Sequence, residues 1–464
     1  MATEQRIEIH DQDLRQFEEG LDGILLQPGD EGYDEARVIH NAAYQRSPLL
    51  ILRAASARDV IRGVAFARNR ELEVAVRSGG HSVAGHSSSD VMVIDLSPMR
   101  YLEIDPERHI VRAGPGLTWG EVSVELHEYG LAVPSGDTGS VGVGGLTVGG
   151  GIGWLVRKYG LTIDSLQSVD IVTADGQLRR ASAEENPDLF WAVRGGGGNF
   201  GIVTSFEFRA HPVGTIIGGA IIYDASESRT VLPAWARYAQ SAPEELSTIV
   251  FVLHAPPLPF IPPEVHGRNV IVIGVCCVGD PETGQGVVAP LRELGTVLAD
   301  ITGPAPYPAV YALTESVAVP GFHSEIRSSY LRELEGDALE TILRGVDTLP
   351  APMGLVQLRA LGGAMARVPA DATAFAHRDR SILAAAIGLW EDPTEAASQR
   401  AWVEEFGRDL RPHADGVYVN FLSDEGPERV AEAYGQETYR RLSQLKRTYD
   451  PANVFRLNQN IQPG

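Results

Sequence analysis

Glycine is spread very unevenly along this chain, with 23 of its 50 glycines falling between residues 79 and 201. Average usage of about 7% would put roughly 32 in a chain of this length, so the surplus needs a cause. Three dense clusters carry it. Gly79-Gly80 precedes His81, Gly139 to Gly153 holds eight glycines in fifteen residues, and Gly195-Gly196-Gly197-Gly198-Asn199-Phe200-Gly201 forms the third. Glycine tolerates positive φ and lets another group approach the backbone, at the largest entropic loss of any residue on folding. Any one cluster reads equally well as a tight turn. Three in one region favour a shared, large, phosphate-bearing ligand held against bare backbone.

Between the clusters the pattern is α/β. Ala57 to Asn69 is amphipathic and opens with Ser56 and Asp59 at capping-box spacing. It is followed by strands over Leu72 to Arg77 and Val91 to Leu96, and by a helix from Trp119 to His127 with Gly130 as its cap. Leu166 to Thr173 and Leu178 to Ala181 flank the turn Ala174-Asp175-Gly176, and Ile202 to Phe208 alternates as a further strand. From about Pro212 the texture changes. Strands are expected at Ile216 to Tyr223, Thr248 to Leu253, Asn269 to Val278, Leu355 to Leu361 and Ile382 to Leu389, the last being Ala-rich enough to read also as helix. Helices are expected at Val231 to Gln240, Gly286 to Thr296, Gly336 to Val346, Pro393 to Leu410 and Glu428 to Lys446, and the proline-rich 256–263 reads as a loop. This second half is expected to form a sheet with one face covered by helices.

Charge and cysteine content narrow the partners. With 39 Lys+Arg against 61 Asp+Glu, the formal net charge of −22 repels polyanions, which excludes nucleic acid and anionic membrane as natural partners. The only two cysteines, Cys276 and Cys277, are adjacent and extend the apolar run from Val270, so they read as strand core with side chains on opposite faces. Met1 to Asp13 is polar and lacks a signal-peptide core, and no run of 18 apolar residues occurs, so a cytoplasmic location is the expectation.

Several ligand motifs are excluded by spacing. No Gly-Lys pair exists, as a P-loop would need. Gly196, Gly198 and Gly201 match the dinucleotide fingerprint, but a strand rather than a helix follows them. No Gly-x-Ser-x-Gly elbow is present. His81 and His86 lie five apart in a Gly/Ser-rich loop, not at zinc spacing, so no metal is expected and His86 reads as a solvated loop histidine. On the residues alone, His81 reads either as a turn histidine or as a nucleophilic imidazole suited to covalent attachment of a flavin.

The sequence resembles the FAD-linked oxidases of the vanillyl-alcohol-oxidase/p-cresol-methylhydroxylase superfamily, in particular the berberine-bridge-enzyme-like branch. The resemblance is carried by Arg77-Ser78-Gly79-Gly80-His81-Ser82, Val93-Ile94-Asp95-Leu96-Ser97, Val141-Gly142-Val143-Gly144-Gly145, Gly149-Gly150-Gly151-Ile152-Gly153, Asn186-Pro187-Asp188-Leu189-Phe190-Trp191 and Tyr449-Asp450-Pro451-Ala452-Asn453-Val454-Phe455. Residues 212 to 414 match more loosely. The fold it implies is α+β, with an FAD-binding domain of two α/β subdomains over 1–210, a substrate-binding domain with a helix-covered antiparallel sheet over 211–414, and a segment returning to the FAD-binding domain over 415–464.

The resemblance also implies site roles. His81 would carry the covalent bond to FAD, with Arg77, Ser78, Gly79, Gly80, Ser82, Val141, Gly142, Gly144, Gly145, Gly149, Gly150, Gly151, Gly153, Gly201, Ile202, Val203 and Asn420 holding the cofactor. Some relatives add a cysteinyl bond where this chain has Thr138, so attachment through one bond is expected. Tyr418, in Tyr418-Val419-Asn420-Phe421, would serve as the base during hydride transfer from a small organic substrate to flavin N5, its phenol made more acidic by neighbouring cations. Gln357 and Arg359 share one strand face, exposed to solvent or to substrate. Val83 and Ile152 replace tyrosines of several plant relatives and imply a more apolar cavity. Val141 stands where a small side chain leaves room for O2, which implies an oxidase releasing hydrogen peroxide. The alternatives are a dehydrogenase with another acceptor and a flavin carrier without turnover.

Overall fold

The computed structural model describes every residue except 1–8, 256, 258–260, 262 and 316–320, so most of the expected proline-rich loop and the extreme N-terminus lie outside the described residues. The fold is α+β, built on three substantial sheets. Ile24–Leu26, Leu50–Arg53, Met92–Asp95 and Val74–Arg77 form the first, in that spatial order, with the last three strands parallel. The helix Ala57–Asn69 packs Val60, Val64 and Ala67 into its core. Ser56 Oγ accepts from the Asp59 amide as a cap, but the Asp59 carboxylate is turned to the amides of Asp22, Gly23 and Ala55, so it ties in the preceding chain rather than completing a capping box.

The second sheet is antiparallel, in the order Leu102–Asp105, Ile110–Ala113, Ile202–Arg209, Leu166–Val172 and Leu178–Ser182. The third has eight antiparallel strands, running Val297–Asp300, Thr215–Asp224, Asn269–Val278, Leu246–His254, Leu355–Ala360, Ile382–Trp390 and His323–Leu331, with Gly303–Pro306 also paired to Thr215–Asp224. Its two faces are sorted by the period of two. Val356, Leu358 and Ala360 point at a core shared with Trp235, Ile342, Val403 and Phe406 of the helices Ser228–Ser241, Gly336–Asp347 and Ala396–Leu410. Leu355, Gln357 and Arg359 point the other way. Cys276 and Cys277 divide likewise between the two faces and are free thiols.

Ile382–Trp390 is the strand expected, despite its alanines, because it lies between two other strands and its small residues let the helix Ala396–Leu410 pack closely. Three other local readings need correction. The edge strand His323–Leu331 was not expected, since its alternation is carried by Ser, Glu and Arg rather than by aliphatic residues. The helix expected at Gly286 to Thr296 starts earlier, at Pro281–Val288, where Asp280 caps the Thr283 amide at 2.8 Å; a 3-10 stretch, Ala289–Glu293, follows with Pro290 in its first turn. Glu428 to Lys446 is two helices, Pro427–Tyr434 and Gln436–Tyr449, broken at Gly435 with φ of 72°. Among the described residues no helix is long and apolar enough to cross a membrane.

The last helix is fixed by a fully buried ion pair. Lys446 Nζ donates to Asp450 Oδ2 at 2.7 Å and to the carbonyls of Asn199 and Phe455, both at 2.8 Å, so all three ammonium protons are used. Asp450 in turn accepts from the Val454 and Phe455 amides. Lys446→Met would leave that carboxylate buried and unpaired, and should lower stability by about 3–5 kcal/mol, read as a shift in the urea midpoint. Acid sensitivity has an identifiable contributor in His211, stacked on Tyr159 and bonded to Ser165 Oγ at 2.9 Å. Burial, with Arg209 and His109 adding repulsion, holds its pKa at about 4 against an ordinary 6.5. The unfolded chain therefore binds the extra proton first, and stability falls as pH drops from about 6.5 toward 4. His211→Gln should flatten that part of a pH–melting-temperature curve.

Candidate active site

The first two glycine clusters meet backbone to backbone. A Cβ on Gly79 would stand 2.4 Å from the Gly142 nitrogen, and one on Gly142 would stand 2.3 Å from the Gly79 nitrogen, so neither position admits a side chain. Ser78 Oγ stitches the contact, donating to Pro115 O at 2.5 Å and accepting from the Gly144 amide at 3.2 Å. The third cluster is held from the C-terminal side. Asn199 donates to Gln459 O and accepts from the Ile461 amide, while its carbonyl takes the Lys446 bond. Gly197 has φ of 70° and Gly195 of 119°, backbone that side chains adopt only under strain.

These loops wall one side of a cavity of about 390 Å³, and the non-helical face of the eight-stranded sheet walls the other. At Gly145 an added Cβ would meet nothing within 4 Å, and at Gly198 only Asn458 Nδ2 at 3.9 Å, so bare backbone faces unfilled space. His40 Nδ1, Ser87 Oγ and Asn458 Oδ1 on the wall are buried without a protein partner. A long backbone-lined space with unspent polar atoms fits a large polar cofactor, and FAD answers to that description.

Most of the residues singled out from sequence reach this cavity. Ser78, Gly79, Gly80, His81, Ser82, Val83, Val141, Gly142, Gly144, Gly145, Ile152, Gly201, Ile202, Val203, Gln357, Arg359, Tyr418 and Asn420 all line it. Five do not. Arg77 turns away to Asp95 at 3.0 Å and to the Ala36 carbonyl. Gly149, Gly150, Gly151 and Gly153 lie behind the wall, where a Cβ would strike Asn420 Oδ1, Phe375, Thr162 Oγ1 and Gly136 O at 2.0 to 2.7 Å. These four glycines let the segments behind the wall approach closely.

His81 stacks on His40 with ring centroids 4.0 Å apart. Burial, aided by the neighbouring His40, pulls its pKa down to about 3, so the imidazole is neutral and keeps a free lone pair. His86 is not the solvated loop histidine expected. It lines the cavity, and burial lowers its pKa to about 4.

Tyr418 precedes the short 3-10 turn Val419–Phe421. Its hydroxyl oxygen accepts from the Gly151 amide at 3.2 Å and from Asn420 Nδ2 at 3.0 Å. Contrary to the expectation of a lowered pKa, burial dominates and raises it, while Asn420, Arg359 and the Gly151 amide oppose that rise. Arg359 lies over the Phe421 ring at 4.6 Å, donates through Nε to Gln357 Oε1 at 3.0 Å and pairs through Nη2 with Asp137 Oδ2 at 2.6 Å. Gln357 and Arg359 are thus buried in the cavity wall and do not face bulk solvent. Asp137 and His40 were not singled out from sequence. Asp137 stands 222 positions from its partner, and only the fold brings them together.

Comparison with known proteins agrees with this arrangement. The family described as FAD binding domain matches residues 48–182, and the family described as berberine and berberine like matches residues 417–462. An FAD-linked oxidoreductase of Dictyostelium discoideum is 30% identical over 455 residues, covering 97% of each chain. The chain belongs to the FAD-linked oxidoreductases of the berberine-bridge-enzyme-like branch. Within that branch, (R)-6-hydroxynicotine oxidase of Paenarthrobacter nicotinovorans is 32% identical over 474 residues, 96% of this chain and 97% of its own. The solved 6-hydroxy-D-nicotine oxidase from Arthrobacter nicotinovorans superposes with a TM-score of 0.85 at 30% identity, covering 96% of this chain and 98% of its own.

For this FAD-linked oxidoreductase, the two kinds of cavity glycine should separate on mutation. Gly142→Ala forces the first two loops apart and should cost about 1–3 kcal/mol. Gly145→Ala, which adds a methyl to open space, should leave the melting temperature of the flavin-free protein unchanged while lowering bound flavin, measured by absorbance per chain.

Proposed function

We propose that the chain is an FAD-dependent oxidase of a small organic substrate, carrying FAD on one covalent bond from His81 and releasing hydrogen peroxide. When bound, FAD accepts the hydride equivalent of the substrate and passes the electrons to O2. The observation that carries the reading is the convergence, in one cavity, of a neutral His81 with Tyr418, whose oxygen already accepts two N–H bonds. Those bonds favour the phenolate over the phenol, so Tyr418 is built to take a hydroxyl proton from substrate as the C–H bond breaks. Gln357 and Arg359 would orient the polar end of the substrate, and Val83 and Ile152 would pack its apolar part. The small side chain of Val141, also on the wall, supports access of O2. Thr138 is on the wall and neither cysteine is, which supports attachment through a single bond.

The following measurements test this. Screening alcohols, sugars, phenols and amines for peroxide release should find a substrate, and fast reoxidation in air after anaerobic bleaching separates oxidase from dehydrogenase. Tyr418→Phe should slow turnover about 10²- to 10⁴-fold with flavin content intact. Because burial raises the phenol's pKa, wild-type turnover should climb with pH, and the variant should lose that limb. Acid-precipitated wild-type protein should stay yellow, whereas His81→Ala should release its flavin; release from wild type would remove the covalent bond.

A further inference from the structure

Among the described residues, Asp137 and Arg359 are the only Asp, Glu, Lys or Arg side chains on the cavity wall, although the chain as a whole carries a net charge of −22. They are paired with each other at 2.6 Å, with side chains only 12% and 5% exposed. The wall's three histidines, His40, His81 and His86, all have pKa values lowered by burial and are neutral near pH 7. The side chains of the wall thus carry no net charge, and the bare backbone of the glycine loops is left to meet the cofactor's phosphates.

Asp137 is held there with care. Its carbonyl accepts from Trp154 Nε1 at 3.1 Å and Thr314 Oγ1 at 2.6 Å, and the nearby Gly139 amide donates to Glu315 at 3.0 Å. With its backbone fixed in this way, the carboxylate meets the guanidinium. Arg359 spends one N–H on Gln357, one on Asp137 and a longer one, at 3.4 Å, on Ile152 O. A guanidinium has five N–H donors, so two remain to meet an acceptor oxygen.

We propose that Asp137, by neutralising Arg359, restricts this site to uncharged, oxygen-bearing substrates such as alcohols, sugars and phenols, and excludes carboxylates and protonated amines. The proposal rests on reading this cavity as the substrate site. Beside Arg359 and Asp137, which already satisfy each other, a lone substrate charge has no compensating partner, whereas a hydroxyl oxygen takes the free guanidinium N–H groups without disturbing the pair. Asp137 acts through Arg359, so it is a positioning residue rather than a catalytic one.

The test uses the flavin-loaded protein and the change in flavin absorbance on binding of benzyl alcohol, benzoate or benzylammonium. Wild type should bind the alcohol about tenfold or more tighter than either ion. Asp137→Asn should tighten benzoate at least about tenfold and change the alcohol little, with Asp137→Glu restoring the original order; Arg359→Gln should instead tighten benzylammonium. Flavin content per chain verifies folding of each variant. Unchanged benzoate affinity in Asp137→Asn, equal affinities for the three probes in wild type, or binding of none of them would overturn the assignment. Peroxide release is followed in parallel. Its absence from every substrate tried, with the binding pattern intact, would remove the oxidase reading and leave the charge assignment standing.

Discussion

The contact between Gly79 and Gly142 is the constraint on which the rest of the structure hangs. It brings the loop after the strand Val74–Arg77 against the loop that opens the helix Val143–Val148, at a separation only two residues without side chains permit. Ser78 then closes the seam with two hydrogen bonds. Both loops are thereby held against one cavity, and His81 is carried to its wall two residues beyond the contact. A protein interior is too densely packed to absorb even one methyl group at such a point without moving a whole loop.

What was legible in the sequence follows from the range of the interactions involved. The glycine clusters, the Asn269–Val278 strand and the helix Ala57–Asn69 rest on local pattern, and the structure has each of them. The shared face of Gln357 and Arg359 follows from strand period alone. Asp137 was invisible because its role exists only through Arg359, far along the chain. The acidity of Tyr418 was misjudged for a related reason, since the cation beside it was foreseeable but the degree of burial was not. Gly149 to Gly153 were legible as glycines that must exist, yet not as ones that pack against Asn420, Phe375, Thr162 and Gly136 instead of a ligand. His323–Leu331 escaped because an edge strand with one polar face carries too little aliphatic signal.

Charge is partitioned between inside and outside. The acidic excess is spread over exposed positions, where solvent screens it, while the cavity confines its charges to one matched pair and discharges its histidines by burial. Neutral imidazole is the form in which His81 is nucleophilic, so the same desolvation that would disfavour a charged substrate also prepares the residue proposed to hold the cofactor.

The Lys446–Asp450 lock has a consequence in time as well as in space. The cavity wall draws on residues from His40 to Gln459, and the glycine loop at Asn199 is clamped by a lysine 247 positions later. While a ribosome is still adding the last helices, the nascent first half of the chain therefore has two of its three glycine loops without the third held in place. Until the final turn of Gln436–Tyr449 is in place, Asn199 lacks its Lys446 clamp and the wall lacks Phe455, Leu457, Asn458 and Gln459, so the cavity is completed only by the segment that follows that helix.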